Sequence, residues 1–205
     1  MEQTRTSLHG VAELLLAGPQ HAAGGGIRLR VVPGGFATVA APDLRVAGEE
    51  LAGPRGSHPL RGTYAEVGGA VGVVPRRLDD VYTDGPGVRP DDRIELDPAE
   101  LAVLLEAFVV GDAALRQLAP RQEPVLWPEH FDVGIAVDEV NFGVSPGDAG
   151  IPEPYAYVGP WTPRTGDFWD QPFGAARPVA ALGGVDGLLA FFREGAARAS
   201  DRAGL

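Results

Sequence analysis

Glycine and proline limit the length of the elements that this chain can form. Its 205 residues include 29 glycines and 19 prolines. Because both residues interrupt regular secondary structure, this content predicts many turns and few long helices or strands. Hydrophobic residues make up 44% of the sequence, which is ordinary for a globular protein, and the length fits one domain. We therefore expect a single compact domain over residues 1–205.

The hydrophobic spacing between these breaks predicts an α+β fold, in which a mainly antiparallel sheet packs with three to four helices. A first helix is expected over residues 7–17, with a stop at Gly18 and Pro19. A second helix is expected to begin after Asp97, a typical N-cap residue, and a last one covers residues 186–199.

The remaining segments are assigned to strands and loops. The second helix is expected to end near Gly111 and Asp112. Polar stretches rich in Gly and Pro predict exposed loops near residues 47–62 and 83–93, whereas residues 63–74 are ambiguous. Strands are expected near residues 27–31, 36–40, 44–46, 131–140 and 155–159.

The composition excludes several kinds of site and partner. No Cys is present, so thiolate and disulfide chemistry are excluded, and no Lys is present, so Schiff-base chemistry and a Walker A loop are excluded. A net charge of -11 argues against a nucleic-acid partner. The best apolar run, residues 101–110, is shorter than the about 20 residues of a membrane span. No signal peptide is visible, so a cytoplasmic protein without a membrane partner is expected.

Residues 127–173 are the most informative part of the sequence. They hold nine of the fifteen aromatic residues, and eight acidic residues against the single base Arg164. Aromatic rings beside carboxylates favour a cationic ligand through cation–π and Coulomb attraction. The alternative is that the rings form a core while the acids face water.

Within this segment, one predicted strand carries a candidate polar pair. His130 and Asp132 share its polar face with the small residues Gly134 and Ala136, which leave a shallow floor for a ligand or a covering segment. Histidine titrates near neutral pH, so the pair is a candidate for proton transfer. The alternative is a solvent-facing strand surface, or a structural role in which His130 bonds a backbone carbonyl.

Two motifs in the same region do not support the sites that they resemble. The run from Gly143 to Gly147 matches the G-x-S-x-G nucleophile elbow, but Pro146 has no N–H for the oxyanion hole. The order Ser145-Pro146-Gly147-Asp148 instead predicts a type II turn. His130 and Asp132 also resemble part of a two-His-one-carboxylate iron site, yet nothing indicates the second His. No metal and no cofactor are therefore predicted.

Arg28 and Arg30 are candidate counter-charges from the first half of the chain. They lie on the polar face of the strand expected over residues 27–31. If that strand neighbours the one containing Asp132, they would pair with Asp132 and Asp138, or form an anion site with His130. Exposed ion pairs contribute only about 0–1 kcal/mol, so simple surface pairing is the alternative.

Three motifs together resemble an uncharacterised bacterial family of unknown function. They are LWPEHFD at residues 126–132, SPGD at 145–148 and EPYAYVGPW at 153–161. The resemblance covers residues 126–173 well and the first helix and strand more loosely. It implies no activity, so no residue role is transferred from it.

These observations favour a small-molecule-binding protein whose cleft is formed by residues 127–173, with an enzyme as one form of that hypothesis. His130 would donate or accept the proton or hydrogen bond, with Asp132 as its orienting partner; a cationic or amine-bearing ligand is expected first. The alternatives are a protein–protein interaction module and a homodimer, both using the aromatic segment. The residues expected to form the walls of the cleft are Tyr155, Tyr157, Trp161 and Trp169.

Overall fold

A ten-stranded antiparallel sheet organises the fold. The computed structural model describes residues 1–200, and it confirms the predicted α+β class. The strand order is β12-β11-β10-β9-β8-β1-β2-β3-β4-β5. The strands are β1 Leu29–Val32, β2 Gly35–Thr38, β3 Arg45–Ala47, β4 Glu50–Gly53, β5 Gly56–Pro59, β8 Val125–Trp127, β9 Asp132–Val137, β10 Val140–Ser145, β11 Tyr155–Pro160 and β12 Ala175–Pro178, while β6 Gly62–Thr63 and β7 Arg93–Ile94 form a separate pair.

This sheet consists of two five-stranded meanders that meet at one contact. Within each meander, every strand is hydrogen-bonded antiparallel to the strand that follows it in the chain, from β1 to β5 in one meander and from β8 to β12 in the other. The meanders join where β1 lies antiparallel to β8, with Leu29 opposite Leu126. Both leucines are buried, so the hydrophobic core is continuous across the junction.

The helices supply the second layer of the fold. The long helix α4 contacts β9, β10, β1 and β2, and α6 packs against α4 and β11. Leu104 and Phe108 of α4 and Phe192 of α6 are fully buried between the layers. The helical segments are α1 Glu2–Gly10, a π-helical segment Val11–Ala17, α2 Gly18–Ala22, α3 Tyr64–Val71, α4 Pro98–Leu118, α5 Val179–Leu182 and α6 Val185–Ser200.

Two glycine positions were wrongly predicted to end helices. The first helical run continues through Gly18 and Pro19 into α2. Pro19 has no N–H for the Leu14 carbonyl, which instead accepts from the Arg76 backbone N–H at 3.0 Å. The long helix also continues past Gly111. A Cβ at Gly111 would come within 2.7 Å of Val144 Cγ2, so this glycine allows α4 to approach the sheet closely.

The predicted loop over residues 47–62 is also wrong, since it contains β4 and β5. These strands form the outer hairpin of the first meander, where only Leu51 of β4 is buried and the rest of the pair is partly or fully exposed. Polar composition is therefore compatible with an edge hairpin. The ambiguous residues 63–74 contain helix α3, and Thr63 and Glu66 cap it through a reciprocal capping box.

Candidate functional site

Two opposed glycines on β9 and β10 make room for the Tyr157 side chain of the candidate site. Gly134 lies opposite Gly143, and Gly143 lies opposite Tyr157 of β11. A Cβ on Gly143 would come within 2.5 Å of Tyr157 Cζ, and a Cβ on Gly134 within 3.0 Å of Tyr157 Oη. The Tyr157 side chain therefore lies across both strands and reaches the side chain of Asp132.

Asp132 is the central polar group of this site. Its side chain is buried, with the residue only 9% exposed, and its Oδ2 accepts a hydrogen bond from the Tyr157 hydroxyl. Oδ1 is also buried and has no hydrogen-bond partner within residues 1–200. Burial raises the pKa of the Asp132 carboxyl, although the Tyr157 hydroxyl and the nearby His130 oppose the shift. An unpartnered buried oxygen costs free energy, which a bound donor would recover.

A second tyrosine–carboxylate pair lies beside the first. The Tyr155 hydroxyl donates to Asp148 Oδ2 at 2.6 Å, and Asp148 Oδ1 accepts from the backbone N–H groups of Gly150 and Ile151. Burial opposes the shift, but these hydrogen bonds lower the pKa of Asp148 below its ordinary value. Burial, together with Asp148, raises the pKa of Tyr155 to about 12. Asp148 therefore brings a fixed negative charge to this side of the site.

The SPGD motif builds the turn that holds this second pair. Gly147 has a φ of 98°, a conformation that favours glycine, and its N–H donates to Ser145 Oγ. Asp148 follows directly and closes the turn through its contacts with the backbone. The motif is thus a structural support for the Tyr155–Asp148 pair.

Two adjoining cavities surround Asp132 and together form what we term the cleft. One, the acidic lobe, has a volume of about 490 Å³, and the other, the arginine lobe, about 510 Å³. Both lobes are lined by Glu129, His130, Asp132, Asn141 and Tyr157. The acidic lobe is further lined by His9, Asp84, Ser145, Gly147, Asp148, Tyr155, Gly159 and Phe173, and the arginine lobe by Arg28, Gln122, Glu123, Val125, Trp127, Gly134, Ile135 and Ala136.

The predicted pair of His130 and Asp132 is brought to the cleft, but not as two residues of one strand face. Strand β9 begins at Asp132, and His130 is exposed in the turn that precedes it. Between them Phe131 has a positive φ of 54°, and its ring packs with His9 and Phe108 on the helical side of the sheet. His130 therefore lies at the rim of the cleft, while Asp132 lies in its wall.

The predicted aromatic walls are only partly present. Tyr155 and Tyr157 line the acidic lobe, whereas Trp161 and Trp169 line neither lobe. Trp161 is 63% exposed, with its indole N–H donating to Asn141 Oδ1. Trp169 packs edge-on against Phe168 beside the hydrophobic core. Both tryptophans follow the strand that carries the tyrosines, and sequence proximity alone suggested that they share its site.

The two predicted counter-charges do not pair with the acids of β9. Strand β8 lies between β1 and β9, which separates Arg28 and Arg30 from Asp132 and Asp138. The Arg28 guanidinium lies over the Trp127 ring, 5.4 Å from its centroid, and lines the arginine lobe. Arg30 donates from Nε to the Thr38 carbonyl outside the cleft.

Several residues of the cleft were missed by sequence reasoning. His9 and Asp84 come from distant parts of the chain, so no local pattern could connect them with residues 127–173. Phe173 contacts Tyr155 and Tyr157, with ring centroids 6.2 and 6.5 Å apart. Asp148 was noticed only as part of a turn, although the spacing of tyrosines on β11 offered a signal that both hydroxyls would face one surface.

A comparison with protein-family models, with curated proteins and with solved structures finds no match to this chain. The resemblance to an uncharacterised bacterial family therefore stays a prediction. Within residues 1–200, no group of three or more His, Asp or Glu side chains is arranged to hold a metal ion, and no helix is long and apolar enough to cross a membrane.

Proposed function

We propose that the protein binds a small cationic molecule in the cleft, with Asp132 as the group that recognises its charge. The observation that carries this proposal is the buried Oδ1 of Asp132, which lacks a partner within the described chain although its residue lines both lobes. A ligand donor that enters from either lobe and reaches this covered oxygen would satisfy it. Its positive charge would also favour the ionised form of Asp132.

The charge of the acidic lobe supports the same ligand class. Four carboxylates line it, from Asp84, Glu129, Asp132 and Asp148, and no Arg of residues 1–200 does. The rings of Tyr155, Tyr157 and Phe173 add aromatic surface. Carboxylates and aromatic faces both attract cations, and the attraction is stronger in a concave site where less water screens it.

Asp132 also has the properties of a proton-transfer group, which supports an enzymatic role as the second candidate. Burial raises its pKa above that of an ordinary carboxyl, and enzymes raise the pKa of carboxyl groups that act as general acids or bases in the same way. His130 at the rim is the group that would exchange the proton with solvent.

A screen by thermal denaturation tests the proposal at neutral pH. Small primary amines, carboxylates and neutral alcohols are added separately to the parent protein, to Asp132→Asn and to Asp138→Asn. Asp138 is exposed in the turn after β9 with a φ of 49°, which Asn accepts readily, so it controls for a lost acid close to the same strand. A cation at 100 times its Kd should stabilise by about 2.7 kcal/mol, or about 5–10 °C.

The pattern across the three proteins decides the outcome. We expect amines to raise the midpoint of the parent and of Asp138→Asn, but not that of Asp132→Asn. Stabilisation by anions alone would exclude a cation-binding cleft. The alternative function, an interaction module or homodimer, is favoured by the exposed Trp161 and Phe173, and light scattering that shows a dimer broken by Trp161→Ala would support it instead.

A further inference from the structure

Two contacts hold the imidazole of His9, a residue of α1 that lines the cleft. Its ring stacks on Phe131, with centroids 5.1 Å apart and an angle of 7° between the planes. Its Nε2 lies 2.6 Å from the carbonyl oxygen of Pro128. Two contacts from different directions therefore fix the position and the rotation of this imidazole.

The contact with Pro128 also determines which ring nitrogen of His9 carries a proton. A carbonyl oxygen can only accept, so Nε2 must be the donor. In the neutral ring, Nδ1 then has a free lone pair and no hydrogen. Nδ1 has no hydrogen-bond partner within residues 1–200, and His9 is partly exposed where it lines the acidic lobe.

The surroundings of His9 keep this ring neutral. Burial lowers the pKa of His9 from 6.5 to about 4, the hydrogen bond to the Pro128 carbonyl opposes the shift, and the positive groups of His130 and Arg5 lower it further. Nδ1 is therefore an acceptor at neutral pH. A neutral ring also avoids repulsion between His9 and a bound cation.

His9 lies in the wall of the acidic lobe, which is also lined by Asp132. It also lines a smaller cavity of about 190 Å³ beside Arg5, Pro146 and Asp148. The acidic lobe is thus lined by two candidate acceptors for a ligand, the carboxyl group of Asp132 and the neutral imidazole of His9. A ligand that fills it is favoured if it presents more than one hydrogen-bond donor.

We infer that His9 Nδ1 is a second acceptor for the ligand, so that the cleft selects a cation bearing N–H groups over a fully methylated one. This inference rests on the proposed function and adds a specificity-determining residue to it. A quaternary ammonium group keeps the charge but has no N–H to donate. The three rings of the lobe do not form a cage for such a group, since Tyr155, Tyr157 and Phe173 lie 6.2–6.5 Å from one another, in contact across their own edges and faces.

Two probes of equal charge test this selection. Phenethylammonium and its N,N,N-trimethyl analogue are titrated by calorimetry into the parent protein at neutral pH. We expect the primary amine to bind about tenfold more tightly, which corresponds to one or two hydrogen bonds. Equal affinity for the two probes would overturn the inference and leave cation binding intact.

Substitutions at His9 then assign the selection to one nitrogen. His9→Gln places an amide N–H near the position of Nε2, so that the bond to the Pro128 carbonyl is kept while the Nδ1 acceptor is lost. His9→Asn does the reverse. We expect about tenfold weaker binding of the primary amine to His9→Gln, unchanged binding of the trimethyl analogue, and partial recovery in His9→Asn. His58→Gln on β5 is the matched control and should leave both affinities unchanged, because His58 lines neither lobe and its ring contacts the carbonyl of the neighbouring Pro59.

The remaining outcomes separate this inference from the proposed function. Asp132→Asn should weaken both probes, because it removes the charge that both require. If neither probe binds the parent, the amine form of the proposed function fails, and the role of His9 fails with it. Nitrogen NMR of the His9 ring is a further test that needs no ligand: a protonated Nδ1 at neutral pH would overturn the inference, whereas a protonated Nε2 supports it.

Discussion

Two buried carboxyl groups each accept a hydrogen bond from a tyrosine, one in the helical layer and one in the sheet. Their remaining contacts differ, and this difference indicates which of them belongs to a ligand site. In the first pair, Tyr82 donates to Glu13 Oε2 at 3.0 Å, and Glu13 is 3% exposed in the π-helical segment. In the second, Tyr157 donates to Asp132 Oδ2, and Asp132 is 9% exposed. Burial raises the pKa of both carboxyl groups.

Only the pair in the sheet has an open side. Gly85 packs so closely that a Cβ there would lie 2.4 Å from Glu13 Oε2, and within residues 1–200 neither carboxyl oxygen of Glu13 is a fully buried atom without a partner. Asp132 instead has an oxygen without a partner in residues 1–200 and a cavity on each side of the pair. A buried ionisable group is therefore a poor guide to function by itself. The unsatisfied atom beside a cavity is what separates a candidate site from a packing contact.

The largest effect is expected from Gly143→Ala, which adds a methyl group beneath the Tyr157 ring of the Tyr157–Asp132 pair. The added methyl group would lie within 2.6 Å of the Val133 carbonyl oxygen and would displace the Tyr157 phenol from Asp132. Overpacking of this kind costs about 1–3 kcal/mol, so the midpoint should fall by roughly 2–12 °C and amine binding should be lost.

Gly69→Ala is the matched control for this change. Gly69 lies in α3, where an added Cβ would meet no atom within 4 Å, so alanine should raise stability by about 0.5–1 kcal/mol. Both midpoints are measured by calorimetric scans without ligand. A Gly143→Ala protein as stable as the parent would show that Tyr157 does not need the space above this glycine.

The next largest effect is a difference in stability between two variants: Glu13→Gln should lower the free energy of unfolding, whereas Asp132→Asn should not. Glu13→Gln would add a buried N–H₂ donor to a site that is closed by the Tyr82 hydroxyl and by Gly85, and it should cost about 1–3 kcal/mol. Asp132→Asn keeps an acceptor for Tyr157 and removes a buried charge that has an unpartnered oxygen. Its stability should be equal to or above that of the parent, as at many functional sites.

Urea denaturation at neutral pH gives both free energies of unfolding on one scale. A large loss of stability in Asp132→Asn would place Asp132 among the structural residues, together with Glu13. The comparison between the two pairs would then no longer identify a site.

Features that depend on local sequence patterns could be predicted from the sequence. Alternation of apolar and polar residues predicted β1, β9 and β11 and placed Asp132 on the face away from the core, because period-two patterns encode strand faces directly. The Asp97 cap of α4 was confirmed for a similar reason, since capping is a local interaction.

What the sequence could not indicate depends on contacts between distant segments. Gly111 suggests a helix end until Val144 is seen against it, and Gly143, met only in the rejected G-x-S-x-G match, has no evident role until Tyr157 is seen above it. His9 and Pro128 are 119 residues apart, so their hydrogen bond has no signature in the sequence. The positive φ of Phe131, which turns His130 out of strand β9, is likewise set by packing of the Phe131 ring in the core.

A smaller effect is expected in the pH dependence of stability. The raised pKa means that folded Asp132 keeps its proton at pH values where the unfolded chain, with a pKa near 3.8, releases it. This contribution is complete below 3.8 and is lost as pH rises through the folded pKa. The loss amounts to about 1.4 kcal/mol for each pH unit that separates the folded pKa from the unfolded one.

Parent and Asp132→Asn are therefore compared by their midpoints between pH 4 and 8. We expect the parent to lose stability relative to the variant as pH rises, and a saturating amine to reduce the loss by pairing with the carboxylate. His9 acts with the opposite sign, since its lowered pKa removes stability as pH falls from 6.5 toward about 4, but it is present in both proteins and cancels. Parallel curves would mean that Asp132 titrates alike in the folded and unfolded states.

The smallest effect is expected for Trp161→Ala, which tests whether the ligand site extends to this exposed aromatic residue. Trp161 is 63% exposed, lines neither lobe and makes one exposed side-chain hydrogen bond, to Asn141. Its removal should change the free energy of unfolding by less than about 0.5 kcal/mol and leave amine affinity within about twofold of the parent. Denaturation and calorimetry on the same preparation measure both quantities. Loss of amine binding would extend the site to Trp161, because an indole that contributes to recognition must contact the ligand or the groups that hold it.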